Sequence, residues 1–206
     1  LKLLVDLQIK NNKNKFRLEK DRDNFIDFCP SRGGLITNWT CGGENILYFD
    51  NERFLDASKS IRGGIPILFP ICGNIDSTFS PFGKNYLNLP QHGFARDMNW
   101  KFKLNEENQS FNLYLQNNLF TQKYYPFLFE VNIEVKLKID CLMFKVELLN
   151  KSQIPMPISF GLHPYFNISD FKNIEFIDYP LICMDQTNNR LQLTANALRV
   201  MQEGID

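Results

Sequence analysis

Residues 129–139 read FEVNIEVKLKI, and this run restricts the fold more than any other stretch of the chain. Phe129, Val131, Ile133, Val135, Leu137 and Ile139 occupy every second position, with a polar or charged residue between each pair. Side chains alternate across a strand, so a period of two buries one face and wets the other. Asp140-Cys141 then turn the chain into a second apolar run, Leu142–Asn150. The two runs predict an antiparallel hairpin with one solvated face.

Strand signals recur along the chain. Leu4–Ile9 and Phe16–Glu19 flank Asn11, Asn12 and Asn14, as in a hairpin with a loose turn. Phe25–Cys29, Leu35–Trp39 and Ile46–Phe49 follow, separated by Pro30-Ser31-Arg32-Gly33-Gly34 and Gly42-Gly43. Trp100–Leu104 and Phe111–Gln116 form a further pair, with Phe111, Leu113 and Leu115 on one face. Residues 119–125 read as a connection, and 191–193 and 195–200 as short strands or loop. No stretch carries the 3.6-residue period of an ordinary helix. The expected fold is all-β, an antiparallel sandwich or barrel, in a single domain over residues 1–206.

The chain has 206 residues, 44% of them hydrophobic and 19 of them phenylalanine, enough for a substantial core. Lys plus Arg equals Asp plus Glu at 23 each, which argues against nucleic acid as a partner, since that normally demands a basic excess. The Lys10–Lys20 stretch reads as a solvated hairpin. Cys29, Cys41, Cys72, Cys141 and Cys183 are odd in number and show no C-x-x-C spacing, so free thiols are expected rather than a zinc site or disulfide framework. No apolar run reaches the roughly 20 residues of a membrane span, and the start has no signal-peptide pattern. A cytoplasmic location is the expectation.

Three stretches could carry chemistry. Ser58–Pro70, SKSIRGGIPILFP, cannot be a regular helix, because two glycines and two prolines interrupt it; it reads as a buried extended segment with Arg62 at its mouth. Cys72–Lys84 reads as an exposed loop. Leu89–Trp100, LPQHGFARDMNW, sets Gln91, His92 and Arg96 in an apolar frame, as a small-molecule site or a structural turn would. Ile158–Phe166, ISFGLHPYF, holds the second histidine, His163, among aromatic residues. Both histidines are compatible with a satisfied place in the core. They are also compatible with a sugar site, where an aromatic floor meets the apolar face of the ring. Arg62 and Arg96 need anionic or carbonyl partners in such surroundings. An internal carboxylate such as Asp56 or Asp97 would serve, and so would a phosphate or sugar hydroxyl. A metal site lacks nearby carboxylates other than Asp97, and Ser159 beside His163 lacks a nucleophile elbow.

Taken together, Ser60–Asn74 (SIRGGIPILFPICGN), Leu89–Arg96 (LPQHGFAR) and Ser159–Phe166 (SFGLHPYF) resemble the aldose 1-epimerase, or galactose mutarotase-like, superfamily. The closest likeness is to its glucose-6-phosphate 1-epimerase-like branch. The resemblance implies an antiparallel β-supersandwich and a cofactor-free, metal-free interconversion of the α and β anomers of an aldose or hexose 6-phosphate. It implies that His163 is the general acid on the ring oxygen, that Arg62, Gln91 and Arg96 bind substrate, and that His92 lies beside it. It also implies a sugar-binding aspartate at Asp206. An imidazole, with an ordinary pKa of about 6.5, can give and recover a proton at neutral pH.

The family's base is a glutamate followed by a proline and an aromatic residue, and this has no match here. Glu203 stands in another context and Glu175 comes too early. Family members continue for several strands beyond the point matching Asp206, so the expectation is a domain shortened at its C-terminal end. Three functional classes therefore remain open: an isomerase, a non-catalytic carbohydrate-binding domain using the same pocket, and a scaffold without a ligand.

Overall fold

The computed structural model describes residues 6–9, 13–75, 89–105, 108–185 and 190–202. The expectations placed on Leu4, Val5, Asn11, Asn12, Glu203, Asp206 and most of the 72–84 loop lie outside these residues. Residues 1–166 and 167–206 form two compact units.

In the first unit, β1 (Asp6–Ile9), β2 (Lys13–Asp21), β3 (Asn24–Cys29), β4 (Leu35–Cys41) and β5 (Glu44–Asn45) make a five-stranded antiparallel sheet in sequence order. After α1 (Asn51–Leu55), the short strand β6 (Ile67–Leu68) follows. Then β7 (Lys101–Asn105), β8 (Ser110–Gln116), β9 (Phe129–Leu137) and β10 (Leu142–Asn150) make a four-stranded antiparallel sheet in the order β10-β9-β8-β7. The six-residue helix α2 (Leu119–Tyr124) links β8 to β9. Finally β11 (Gly161–Leu162) pairs with β6.

The predicted alternations hold. Along β9 every odd-numbered residue from Phe129 to Leu137 is buried and every even one half-buried. Its partner β10 runs in register from Leu142 opposite Leu137 to Asn150 opposite Phe129. Ile139, expected on the inner face, is 63% exposed, because the strand ends at Leu137 and the residue lies in the turn. Opposite this sheet, Leu18, Ile26, Phe28 and Ile36 of the five-stranded sheet enter the same core cluster as Phe111, Leu113 and Leu115. Two antiparallel sheets with a shared apolar interior constitute a β-sandwich.

Short helices occur where the sequence reading placed loop or strand. Asp50 caps α1 by accepting from the Arg53 N–H at 2.9 Å. Asn118 caps α2 in a reciprocal box with Thr121. In the second unit, β12 (Ile182–Asp185) pairs with β13 (Arg190–Leu193), which runs into α3 (Thr194–Gln202). Residues 195–200 are therefore helical, which Ala195, Ala197, Leu198 and Arg199 favour as good helix formers.

Candidate functional site at the two histidines

The site is built from three extended segments laid against the sandwich. The first runs from Ser60 to Phe69. Phe49 bridges Gly63 and Ile36 bridges Ile65 in antiparallel fashion, which keeps the segment extended without a full strand. Gly64 has φ +69 and faces the Ile36 carbonyl so closely that a Cβ would collide with it. The two sides of the chain here are buried, yet Arg62 itself is exposed. Among the described residues its guanidinium has no hydrogen-bond or ion-pair partner; the carboxylate of Asp56 pairs with Lys59 instead.

The second segment is the turn at residues 90–97. The Gly93 N–H donates to the Pro90 carbonyl at 2.8 Å, and the N–H groups of Phe94 and Ala95 both donate to the Phe69 carbonyl at 3.1 Å. A 3-10 turn over Ala95–Asp97 follows, locked by the Trp100 indole N–H on the Ala95 carbonyl at 2.9 Å. Phe94 and Trp100 are buried, so this turn is pinned to the core by its apolar residues. Its polar residues face the other way. Arg96 Nη2 donates to the Gln91 carbonyl at 3.0 Å, and Arg96 Nε stands 3.7 Å from Asp97.

The third segment carries His163. The β11–β6 pairing continues on either side through Ser159 N–H to the Pro70 carbonyl (2.8 Å) and His163 N–H to the Pro66 carbonyl (3.0 Å). This ladder brings residue 163 beside residue 66 across nearly a hundred residues of chain. The His163 ring stacks on Tyr165, with centroids 5.0 Å apart and planes 26° from parallel. It meets His92 edge-on, with centroids 5.7 Å apart and an angle of 71°.

These segments surround a pocket of about 200 Å³. Arg62, Gln91, His92, Arg96 and His163 all line it. Asp206 is not among the described residues. The sequence reading missed Ser60, Ile61, Pro66 and Leu68 as lining residues; the first two immediately precede Arg62, which was the available signal. A volume of this size is on the scale of a monosaccharide, below the roughly 300 Å³ at which drug-sized pockets begin. Two guanidinium groups and no carboxylate among the described lining residues make the pocket electropositive and receptive to an anion. Among the described residues, no group of three or more His, Cys, Asp or Glu is placed to hold a metal ion. All five cysteines are free, and no described helix is long and apolar enough to cross a membrane.

Comparisons with known proteins point the same way. The family model described as aldose 1-epimerase matches residues 15–202. A protein of Salmonella typhimurium named "Putative glucose-6-phosphate 1-epimerase" is 28% identical over 148 residues, covering 70% of this chain and 46% of the relative. The crystal structure of the Slr1438 protein from Synechocystis sp. PCC 6803 superposes with a TM-score of 0.82 at 38% identity, over 90% of this chain and 66% of that one. A galactose mutarotase related enzyme from Lactobacillus acidophilus superposes with a TM-score of 0.59 at 27% identity, over 83% of this chain and 52% of that one. The chain spans about half the length of the curated relatives it matches. With the family model covering nearly all of the sequence and the sandwich shared with these structures, the chain belongs to the aldose 1-epimerase family.

Proposed function

We propose that the pocket binds an aldose or a hexose 6-phosphate and interconverts its α and β anomers. The observation that carries this reading is the meeting of His92 and His163, 5.7 Å apart, in a small pocket that also holds Arg62 and Arg96. Ring opening needs one proton delivered to the ring oxygen and one removed from the anomeric hydroxyl, and imidazole is suited to such transfers near neutrality. His163 is the donor to the ring oxygen. Tyr165 supports its ring and presents an apolar surface to the sugar. The C1–O5 bond breaks, C1–C2 rotates, and closure on the other face gives the other anomer. Arg62 and Arg96 fit a phosphate ester, and the name of the Salmonella relative supplies the same substrate class.

Anomer exchange of glucose and glucose 6-phosphate, followed by NMR in the presence of the 206-residue chain, tests the reading. Exchange faster than the spontaneous rate, lost in His163→Ala, is the expected result; a variant that keeps the full acceleration removes His163 from the donor role. A second reading, a carbohydrate-binding domain without catalysis, is favoured by the lack of a carboxylate among the described lining residues. Saturable sugar binding with no acceleration would select it.

A further inference from the structure

Arg32 is only 8% exposed, yet no described carboxylate pairs with it: Asp56 is taken by Lys59 and Asp97 by Arg96. Its Nη2 donates to the carbonyls of Asp56 at 3.2 Å and Lys59 at 3.0 Å. Its guanidinium carbon lies 5.0 Å from the Phe54 ring centre, and Nη1 is buried with no hydrogen-bond partner among the described residues. Burial pushes its pKa down, against the pull of Asp97, Cys29 and Asp56. Burying a charge on carbonyls alone costs stability, and a well-packed apolar side chain of similar volume would carry less penalty. Stability therefore does not account for a guanidinium here, but what it holds in place does. The two carbonyls belong to the turn that delivers Ser60 and Arg62 to the pocket.

The loop that carries Arg32, residues 30–34, is bonded to the opposite wall as well. The Gly33 N–H donates to the Met98 carbonyl at 2.7 Å, and the Trp100 N–H to the Pro30 carbonyl at 2.9 Å. Gly33 abuts the Arg96 carbonyl with no room for a Cβ. At Phe69 the two pocket walls are joined directly, its carbonyl accepting from the Phe94 and Ala95 N–H groups. At Arg62 the Asp50 N–H holds the Arg62 carbonyl at 2.9 Å, while the hydrogen-bonded link across to the Arg96 wall, among the described residues, runs through Arg32. We infer that Arg32 is a positioning residue that sets the spacing of Arg62 and Arg96 so that both meet one phosphate group. It does not itself line the pocket. This role rests on the reading above that the pocket takes a hexose 6-phosphate. Two planar guanidinium groups grip one phosphate together only when they are aligned for it. A shift of the 56–62 segment takes Arg62 off the phosphate and leaves the 90–97 turn and His163 on the sugar.

A double-mutant cycle on the full 206-residue chain tests this, with affinities for glucose 6-phosphate and glucose read by titration calorimetry. Arg32→Met fills much the same space without the two donated hydrogen bonds. The expected effect is roughly tenfold weaker binding of glucose 6-phosphate, with glucose changed less than about threefold. In the Arg62→Met background the same substitution should change glucose 6-phosphate by less than about threefold, because the group it positions is already gone. An equal loss in both backgrounds makes Arg32 an independent source of positive field, and an equal loss for both sugars makes it a general support of the fold; either overturns the proposal. Arg32→Lys, which keeps the charge but not the planar fork, is taken through the same cycle and decides the matter if Arg32→Met does not fold. Its expected loss for glucose 6-phosphate is at least about threefold in the wild-type background and absent in Arg62→Met. A wild type that prefers glucose 6-phosphate and whose Arg32 variants keep that preference overturns the role of Arg32 alone. A wild type that binds both sugars equally, or neither, overturns the phosphate reading and this proposal with it.

Discussion

Phe28 of β3 and Phe111 of β8 stack nearly face to face across the interior, with ring centroids 3.8 Å apart and planes 8° from parallel. The two strands belong to different sheets, so this contact joins the halves of the sandwich without a backbone hydrogen bond between them. Phe102 meets the edge of Phe28 at 5.5 Å and extends the cluster towards the rim. Truncation at either ring removes buried apolar surface and leaves a cavity that its neighbours fill only in part. Phe111→Ala is expected to lower the unfolding free energy by roughly 3–5 kcal/mol, read as a lower urea midpoint at unchanged slope. Phe28→Ala combined with Phe111→Ala should cost less than the sum of the two, because the second truncation no longer loses the stack. Strict additivity would show that the rings contribute independently.

Gly93 holds the turn that carries His92 and Arg96. Its φ is +73, and a Cβ there would fall inside the contact distance of the Phe69 carbonyl. That same carbonyl accepts from Phe94 and Ala95, so it cannot move without releasing two hydrogen bonds. Gly93→Ala is therefore expected to cost roughly 1–3 kcal/mol from backbone strain alone, and to weaken sugar binding through displacement of His92. A variant with unchanged thermal midpoint and unchanged affinity would contradict this account of the turn.

The sandwich was legible in the sequence because both faces of β8 and β9 obey one rule at a time: apolar inside, polar outside. The helices were not, for reasons visible in their residues. α1 and α2 each span fewer than two full turns, too short for a 3.6 period to emerge, and only their caps Asp50 and Asn118 mark them. α3 is nine residues long, and its Thr194 and Val200 dilute the helix-favouring signal. The site divides in the same way. Arg62, Gln91, His92, Arg96 and His163 were singled out from motifs, but nothing in the spacing of residues 92 and 163 states that the rings meet. Their meeting depends on the β6–β11 ladder, two residues long on each side. The hydrogen bond between His92 Nδ1 and the Cys72 carbonyl, 2.7 Å long, is equally invisible in sequence, since it uses a backbone carbonyl and reports nothing about the cysteine side chain.

Asp56 gives a prediction that depends on pH. Its carboxylate accepts from the Ser58 hydroxyl at 2.6 Å and the Ser58 N–H at 3.0 Å, and pairs with Lys59 at 3.3 Å. These contacts, the Ser58 hydroxyl foremost, lower its pKa from 3.8 to about 2. Because the folded value lies below the unfolded one, the stability this adds is present above the ordinary carboxylate range. It is lost as pH falls through the interval from 3.8 to about 2. The turn it shapes presents the Asp56 and Lys59 carbonyls to the Arg32 guanidinium at 3.2 and 3.0 Å. Ser58→Ala should move the Asp56 titration up towards 3.8, followed by carboxyl-carbon NMR. A titration that stays in place would leave the hydroxyl without the role given to it.

Lys15 is the opposite case, a cation with its charge withdrawn from water. Only 8% of it is exposed, and its Nζ lies 4.6 Å from the Phe49 ring centre and 4.7 Å from that of Phe54. Burial lowers its pKa from 10.5, against the opposing pull of Asp27 and Cys29. The unfolded chain therefore binds this proton more tightly, and stability rises as pH climbs through the folded value towards 10.5. Lys15→Met keeps the stem against the rings and removes the charge. It should raise the thermal midpoint at pH 7 and flatten the rise on the alkaline side. An unaltered alkaline slope would mean that another group titrates there.

Phosphate recognition can be separated from sugar recognition at Arg62. Arg96 is tied to the Gln91 carbonyl and to Asp97, so its removal would disturb the turn as well as the pocket. Arg62 lines the same pocket and has no partner among the described residues, which makes its removal the cleaner test. A charge-assisted hydrogen bond contributes about 1.5–3 kcal/mol, and each 1.4 kcal/mol is a factor of about ten in affinity. Arg62→Met should therefore weaken binding of glucose 6-phosphate by roughly 10–100-fold while leaving glucose within about threefold, as measured by titration calorimetry. Raising the salt concentration should narrow the gap between the two ligands in the wild type more than in the variant. If both sugars lose affinity equally, Arg62 serves the ring hydroxyls and not a phosphate ester.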